Sequence, residues 1–175
     1  MFTPIFTWAK MYRRDFIKNM CFDVGRICQD IAFYAETYAK AKRIAYLNQP
    51  LYNYFNTRAD STINKLSSRK IFDVLFEYQH AIDIFKCAGL YDMYAHTLQR
   101  MIVADVMKKL RLVAPELKPE FYAKIKEANF EIKCAELKKY NSYPGEQKNL
   151  RLFHILQQAD TFDDFCCAAE VKNEK

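Results

Sequence analysis

Between Ile71 and Leu110 the apolar residues recur at helical spacing, and no other feature limits the fold so strongly. Ile71, Val74, Leu75, Tyr78, Ile82 and Phe85 follow the 3.6-residue period and mark one face of a helix, with Gly89 as its stop. Tyr94, Leu98, Met101, Ile102, Val106 and Leu110 repeat the pattern up to Pro115. Pro119 can open a third helix carrying Phe121, Tyr122 and Ile125. A shorter one is expected across Ile132 to Leu137. After the break at Tyr143-Pro144-Gly145, Leu150, Phe153 and Leu156 mark another. Thr161 with Asp164 three residues on is a capping pattern for a last short helix. These aromatic and methionine stripes read first as helix core. With 3 Gly and 5 Pro, an all-β design built on tight turns is disfavoured. At 51 % hydrophobic and 15 % aromatic residues, the chain has ample material for a core.

The first 64 residues have another texture. Residues 4–9, Pro4 to Ala9, are short, aromatic and β-branched and suggest extended structure or a strand. Residues 13–18 suit one or two helical turns. Ile31, Tyr34, Ala35, Tyr38 and Ala41 predict a helix across 28–41. Residues 43–47 and 51–55 read as two strands joined by a turn at Asn48-Gln49-Pro50, and the polar run 56–64 reads as a loop. The expected fold is therefore mostly α with a small β part, divided into 1–64 and a helical region 65–175.

Composition removes several functions. The formal charge is +6, from 27 Lys and Arg against 21 Asp and Glu. That suits phosphate-bearing ligands or peripheral contact with an anionic membrane surface. The basic residues are spread over every segment, so no nucleic-acid stripe is expected. No C-x-x-C pair occurs among the six cysteines, and MFTPIFTWAK does not read as a secretory signal, so reduced thiols in a cytoplasmic protein are expected. No apolar run reaches the length of a membrane span. Gly25, Gly89 and Gly145 cannot build a phosphate loop, and no nucleophile elbow occurs. His80, His96 and His154 lie too far apart to suggest a metal set.

Four ordered blocks remain. The first is Trp8-Ala9-Lys10-Met11-Tyr12-Arg13-Arg14-Asp15-Phe16. The second runs from Phe22 and Gly25 to Gln29-Asp30-Ile31-Ala32-Phe33. The third is Lys42-Arg43-Ile44-Ala45-Tyr46-Leu47, and the fourth is Pro50-Leu51-Tyr52-Asn53-Tyr54, followed by Arg58 and Ser61. In order and spacing they resemble the C-terminal portion of bacterial family 2 glycosyltransferases, which carry W-x-K-[LM]-Y, F-x-x-G-x-x-x-E-D-x-x-F, K-R-I-x-Y and P-L-Y-x-Y. The resemblance covers about 62 residues, and the helical remainder matches the variable appendage that often follows the catalytic domain.

The resemblance implies a partial GT-A α/β domain on its acceptor side, followed by a bundle-like helical appendage. Such enzymes transfer a sugar from a nucleotide-diphosphate donor to an acceptor hydroxyl, in polysaccharide or cell-envelope glycan synthesis. By the same resemblance Asp30 is the general base. Gln29 stands where the family usually has Glu; it keeps hydrogen-bonding capacity but carries no charge. Trp8, Lys10, Tyr12 and Arg58 are the further candidates for acceptor or phosphate contact. The family's Asp-x-Asp, which holds Mg²⁺ or Mn²⁺ and the donor diphosphate, precedes the first block and has no counterpart among these residues; Asp163-Asp164 is in the wrong place. The resemblance thus implies no cofactor in this chain, a divalent metal in the complete enzyme, and no transfer by the chain alone. The contrasting expectation is a non-catalytic helical interaction module derived from such an enzyme.

Overall fold

A computed structural model describes residues 7–53, 55, 68–139 and 144–171. Eight α-helices occur among them: α1 (Arg14–Ile17), α2 (Asp30–Lys40), α3 (Asp73–Cys87), α4 (Tyr91–Leu112), α5 (Lys118–Ala128), α6 (Cys134–Leu137), α7 (Pro144–Gln158) and α8 (Phe162–Val171). Single 3₁₀ turns, Arg69–Phe72 and Pro115–Leu117, lead into α3 and α5.

The apolar stripes become buried faces. Ile71, Val74, Leu75, Tyr78, Ile82 and Phe85 are all buried, as are Leu98, Met101, Ile102, Val106 and Leu110 of α4. Gly89 ends α3 at φ 67°, a left-handed conformation that glycine adopts without steric cost. Its N–H donates to the Lys86 carbonyl at 3.0 Å and that of Leu90 to the Phe85 carbonyl at 2.9 Å, a Schellman closure. Asn129 closes α5 at φ 41°. At the start of α8 the Thr161 hydroxyl accepts the Asp164 N–H at 3.1 Å, and the Asp164 carboxylate accepts the Thr161 N–H at 3.1 Å. That reciprocal pair is the capping box expected from the sequence.

Helix α2 lies along α3. Helix α4 packs on α3 and α7, while α5 contacts α3, α4 and α8, and α7 leads into α8. One core runs from Ile31 and Ala35 of α2 to Phe165 of α8. The two stretches distinguished in the sequence, 1–64 and 65–175, therefore share apolar packing. Among the described residues no helix is long and apolar enough to cross a membrane.

The end of α7 is closed from the side. Tyr122 Oη donates to the carbonyls of Leu156 (3.3 Å) and Ala159 (2.7 Å). Lys126 Nζ donates to those of Gln157 (2.9 Å) and Ala159 (3.0 Å). These groups satisfy carbonyls that the helix leaves open. Tyr122→Phe is expected to cost about 1 kcal/mol, seen as a lower urea midpoint with an unchanged slope.

The small β part is where the structure departs from expectation. No strand occurs among the described residues, and residues 43–47 and 51–53 carry no regular structure. Pro4 to Phe6 and the run 56–64 lie outside the described residues, and residues 7–9 form a bend and turn with Ala9 at φ 59°. The physical reason is pairing: a strand is stable only against a neighbour. No backbone–backbone hydrogen bond joins residues 42–53 to any described residue. Local alternation recorded the β tendency but not the lack of a partner.

Candidate functional site

Asp30 opens α2 as its first helical residue, with Gln29 at the cap position. The Gln29 side chain makes no cap bond; its carbonyl accepts the Phe33 N–H at 3.3 Å. In the segment before it, 7–29, Trp8, Lys10 and Tyr12 are half-buried, and Lys10 and Tyr12 come back to α2. Tyr12 meets the Phe33 ring edge-on at 5.8 Å, and Phe22 stacks on the same ring at 4.5 Å. Phe33 thus anchors the first sequence block to the helix that carries Asp30, one turn from the carboxylate.

Electrostatics joins the blocks further. Burial pushes the Asp30 carboxyl above its ordinary pKa; its own backbone N–H and the charges of Lys109 and Lys10 oppose the rise, and Asp105 adds to it. Burial draws Lys10 below the usual lysine range, against the pull of Asp30. Burial also raises Tyr12. Asp30 therefore lies in a mixed field of two ammonium groups and a second carboxylate. Its raised pKa makes it a stronger proton acceptor than an exposed aspartate.

Lys109 and Asp105 are the site residues that the sequence left unmarked. Lys109 is only 7 % exposed and holds Asp105 Oδ1 at 2.6 Å one turn away. Tyr78, fully buried on α3, donates to the Asp105 Oδ2 and to the Met101 carbonyl, each at 3.3 Å. The available signal was an Asp–Lys pair at i, i+4 inside the apolar run of α4, where a solvated pair is out of place. Cys28, next to Gln29, stands at φ 62°, and burial lifts its thiol to about 11. A thiol held so firmly protonated is no nucleophile.

On the aromatic side, Tyr34 and Tyr38 pack at 4.3 Å one turn apart on α2. Burial first, and Tyr34 second, push the Tyr38 hydroxyl up to about 12. The structure thus brings together four of the six residues singled out in the sequence, Lys10, Tyr12, Gln29 and Asp30, at the first turn of α2, and leaves Trp8 half-buried in the segment before them. Arg58 lies outside the described residues.

No protein-family model, curated protein or solved structure matches the chain. Among the described residues no group of three or more His, Cys, Asp or Glu side chains is arranged to hold a metal ion. With the ammonium groups of Lys10 and Lys109 acting on Asp30, the residues around it do not fit a divalent cation.

Proposed function

We propose that this chain is the acceptor-side, C-terminal part of a family 2 glycosyltransferase, with Asp30 as the base that takes the proton of the attacking acceptor hydroxyl. The observation that carries this is the meeting of the Trp8–Tyr12 block with Asp30 across the Phe33 ring. Lys10 shares the field of Asp30 and suits an acceptor oxygen or phosphate. Trp8 and Tyr12 offer aromatic surface to a sugar face. The donor diphosphate and its Mg²⁺ or Mn²⁺ belong to the other half of the enzyme, which faces the cytoplasm, where nucleotide-sugars are made. The chain by itself transfers no sugar.

The segment 42–55 supports membership in a larger sheet. Ile44, Tyr46, Leu47, Leu51, Tyr52 and Phe55 are each 53–75 % exposed, with no backbone ladder partner among the described residues. Apolar exposure on this scale marks a surface meant for covering. Mixing the chain with the separately produced donor-binding half of a family enzyme is expected to protect the amides of 42–53 against hydrogen exchange. Unchanged exchange there at saturating partner would count against the proposal.

A second reading, the non-catalytic interaction module, is favoured by one observation: an open groove between α4, α7 and α8. Met107, Leu110, Leu152, Phe162 and Phe165 line it, with Lys118 among the basic residues at its rim. Binding of a partner there without sugar transfer in any assembly would favour that reading.

A further inference from the structure

The stretch Cys21–Gln29 is fastened to α3 at several points along one helix face. The Ile27 N–H donates to Asp73 Oδ2 at 3.0 Å, and Arg26 lies 3.7 Å from Asp73 Oδ1. The Arg26 guanidinium stands 3.5 Å from the centre of the Phe76 ring, a cation–π contact. Asp23 Oδ2 accepts a hydrogen bond from His80 Nδ1 at 2.8 Å. Asp73, Phe76 and His80 recur at i, i+3 and i+7.

Glu77 sits on the same face, in the middle of these fastenings. Its side chain is fully buried, neither carboxylate oxygen meets a donor among the described residues, and the Asp23 carboxylate is the group near enough to share its proton. Each backbone or side-chain polar group buried in this way is destabilising, and an ionised one far more so. The charged groups facing it are Asp23 and Arg26 of the segment and His80 of its own helix. Cys28 also shares its field, and Asp30 of α2 with Asp105 and Lys109 of α4 act on Cys28 in turn. The segment itself holds left-handed residues at Gly25 (φ 81°) and Cys28 (φ 62°). A non-glycine residue in that region stores strain that local opening would release.

We propose that residues 21–29 form a proton-gated strap, held on α3 while Glu77 is protonated and opened locally when Glu77 ionises. Burial and the nearby Asp23 raise Glu77 to about 7 from an unfolded 4.5, with His80 and Arg26 pulling the other way. The closed strap thus binds this proton more tightly than the open one. Its hold is fullest below the lower value, weakens as the pH rises between the two, and levels off above the upper one. The proposal is independent of sugar transfer. Its consequence is structural: the strap leads directly into Gln29 and Asp30, so opening frees the chain that enters α2.

Hydrogen exchange of the full chain tests it, read as protection factors corrected for the intrinsic rate. Between about pH 5.5 and about pH 8 the Ile27 amide is expected to lose at least about tenfold protection. Val106 and Phe121, in the core of α4 and α5, should keep theirs. In Glu77→Gln the loss should shrink to about threefold or less, and in His80→Gln most of it should remain. Glu77→Met provides the same comparison if the glutamine variant does not fold. A smaller wild-type change overturns the proposal. So does a full change in the Glu77 variants, its disappearance in His80→Gln, or a parallel loss at Val106 and Phe121.

Discussion

Asp30→Asn is expected to slow sugar transfer by about two to four orders of magnitude in an enzyme assembled from this chain and a family donor-binding half. The expectation follows from the role proposed for the carboxylate. An acceptor hydroxyl is a weak nucleophile, and removing its proton during attack is what a positioned base contributes. Asparagine keeps the size and the first-turn position but cannot accept the proton. It also removes a half-buried charge whose ionised form burial disfavours. The chain should therefore fold at least as well as before, which separates a chemical defect from a structural one. The pH profile adds a check. Because burial raises Asp30, the acid limb of the transfer rate should lie above that of an exposed aspartate. Initial rates across the pH range, with unfolding midpoints for both proteins, provide the measurement.

Phe121→Ala is expected to cost about 3–5 kcal/mol of stability, the range for deleting a fully buried aromatic ring. Phe121 has no exposed surface and packs 4.9 Å from the Phe72 ring. Helix α5 contacts α3, α4 and α8, so the cavity would open where those elements meet. Close packing on several sides limits how far the walls can collapse. Urea unfolding followed by circular dichroism would show the loss as a large drop in midpoint. A drop equivalent to less than about 1 kcal/mol would mean that Phe121 is not closely packed in the core.

The helices were legible because their causes are local. The stripes from Ile71 to Phe85 and from Leu98 to Leu110 state both period and face, and Gly89 and the Thr161–Asp164 pair mark an end and a start. Asp30 was legible as a first-turn residue for the same reason. No strand is seen at 43–47 or at the described residues of 51–55, because β structure depends on a partner that no local pattern names. The surroundings of Asp30 were hidden for a related reason. Lys109 and Asp105 lie more than seventy residues away in sequence, and only the packing of α3 and α4 against the start of α2 brings them near. Glu77 was hidden differently. An acidic residue beside Phe76 and Tyr78 reads as a solvated helix position, yet Glu77 is fully buried.

The most direct measurement is transfer of labelled sugar from a nucleotide-sugar donor, with the chain alone, with the donor-binding half alone, and with the two mixed. Transfer is expected only in the mixture, and the Asp30→Asn chain is expected to abolish nearly all of it. Transfer by the chain alone, or an undiminished rate in the mixture carrying Asp30→Asn, would contradict the account.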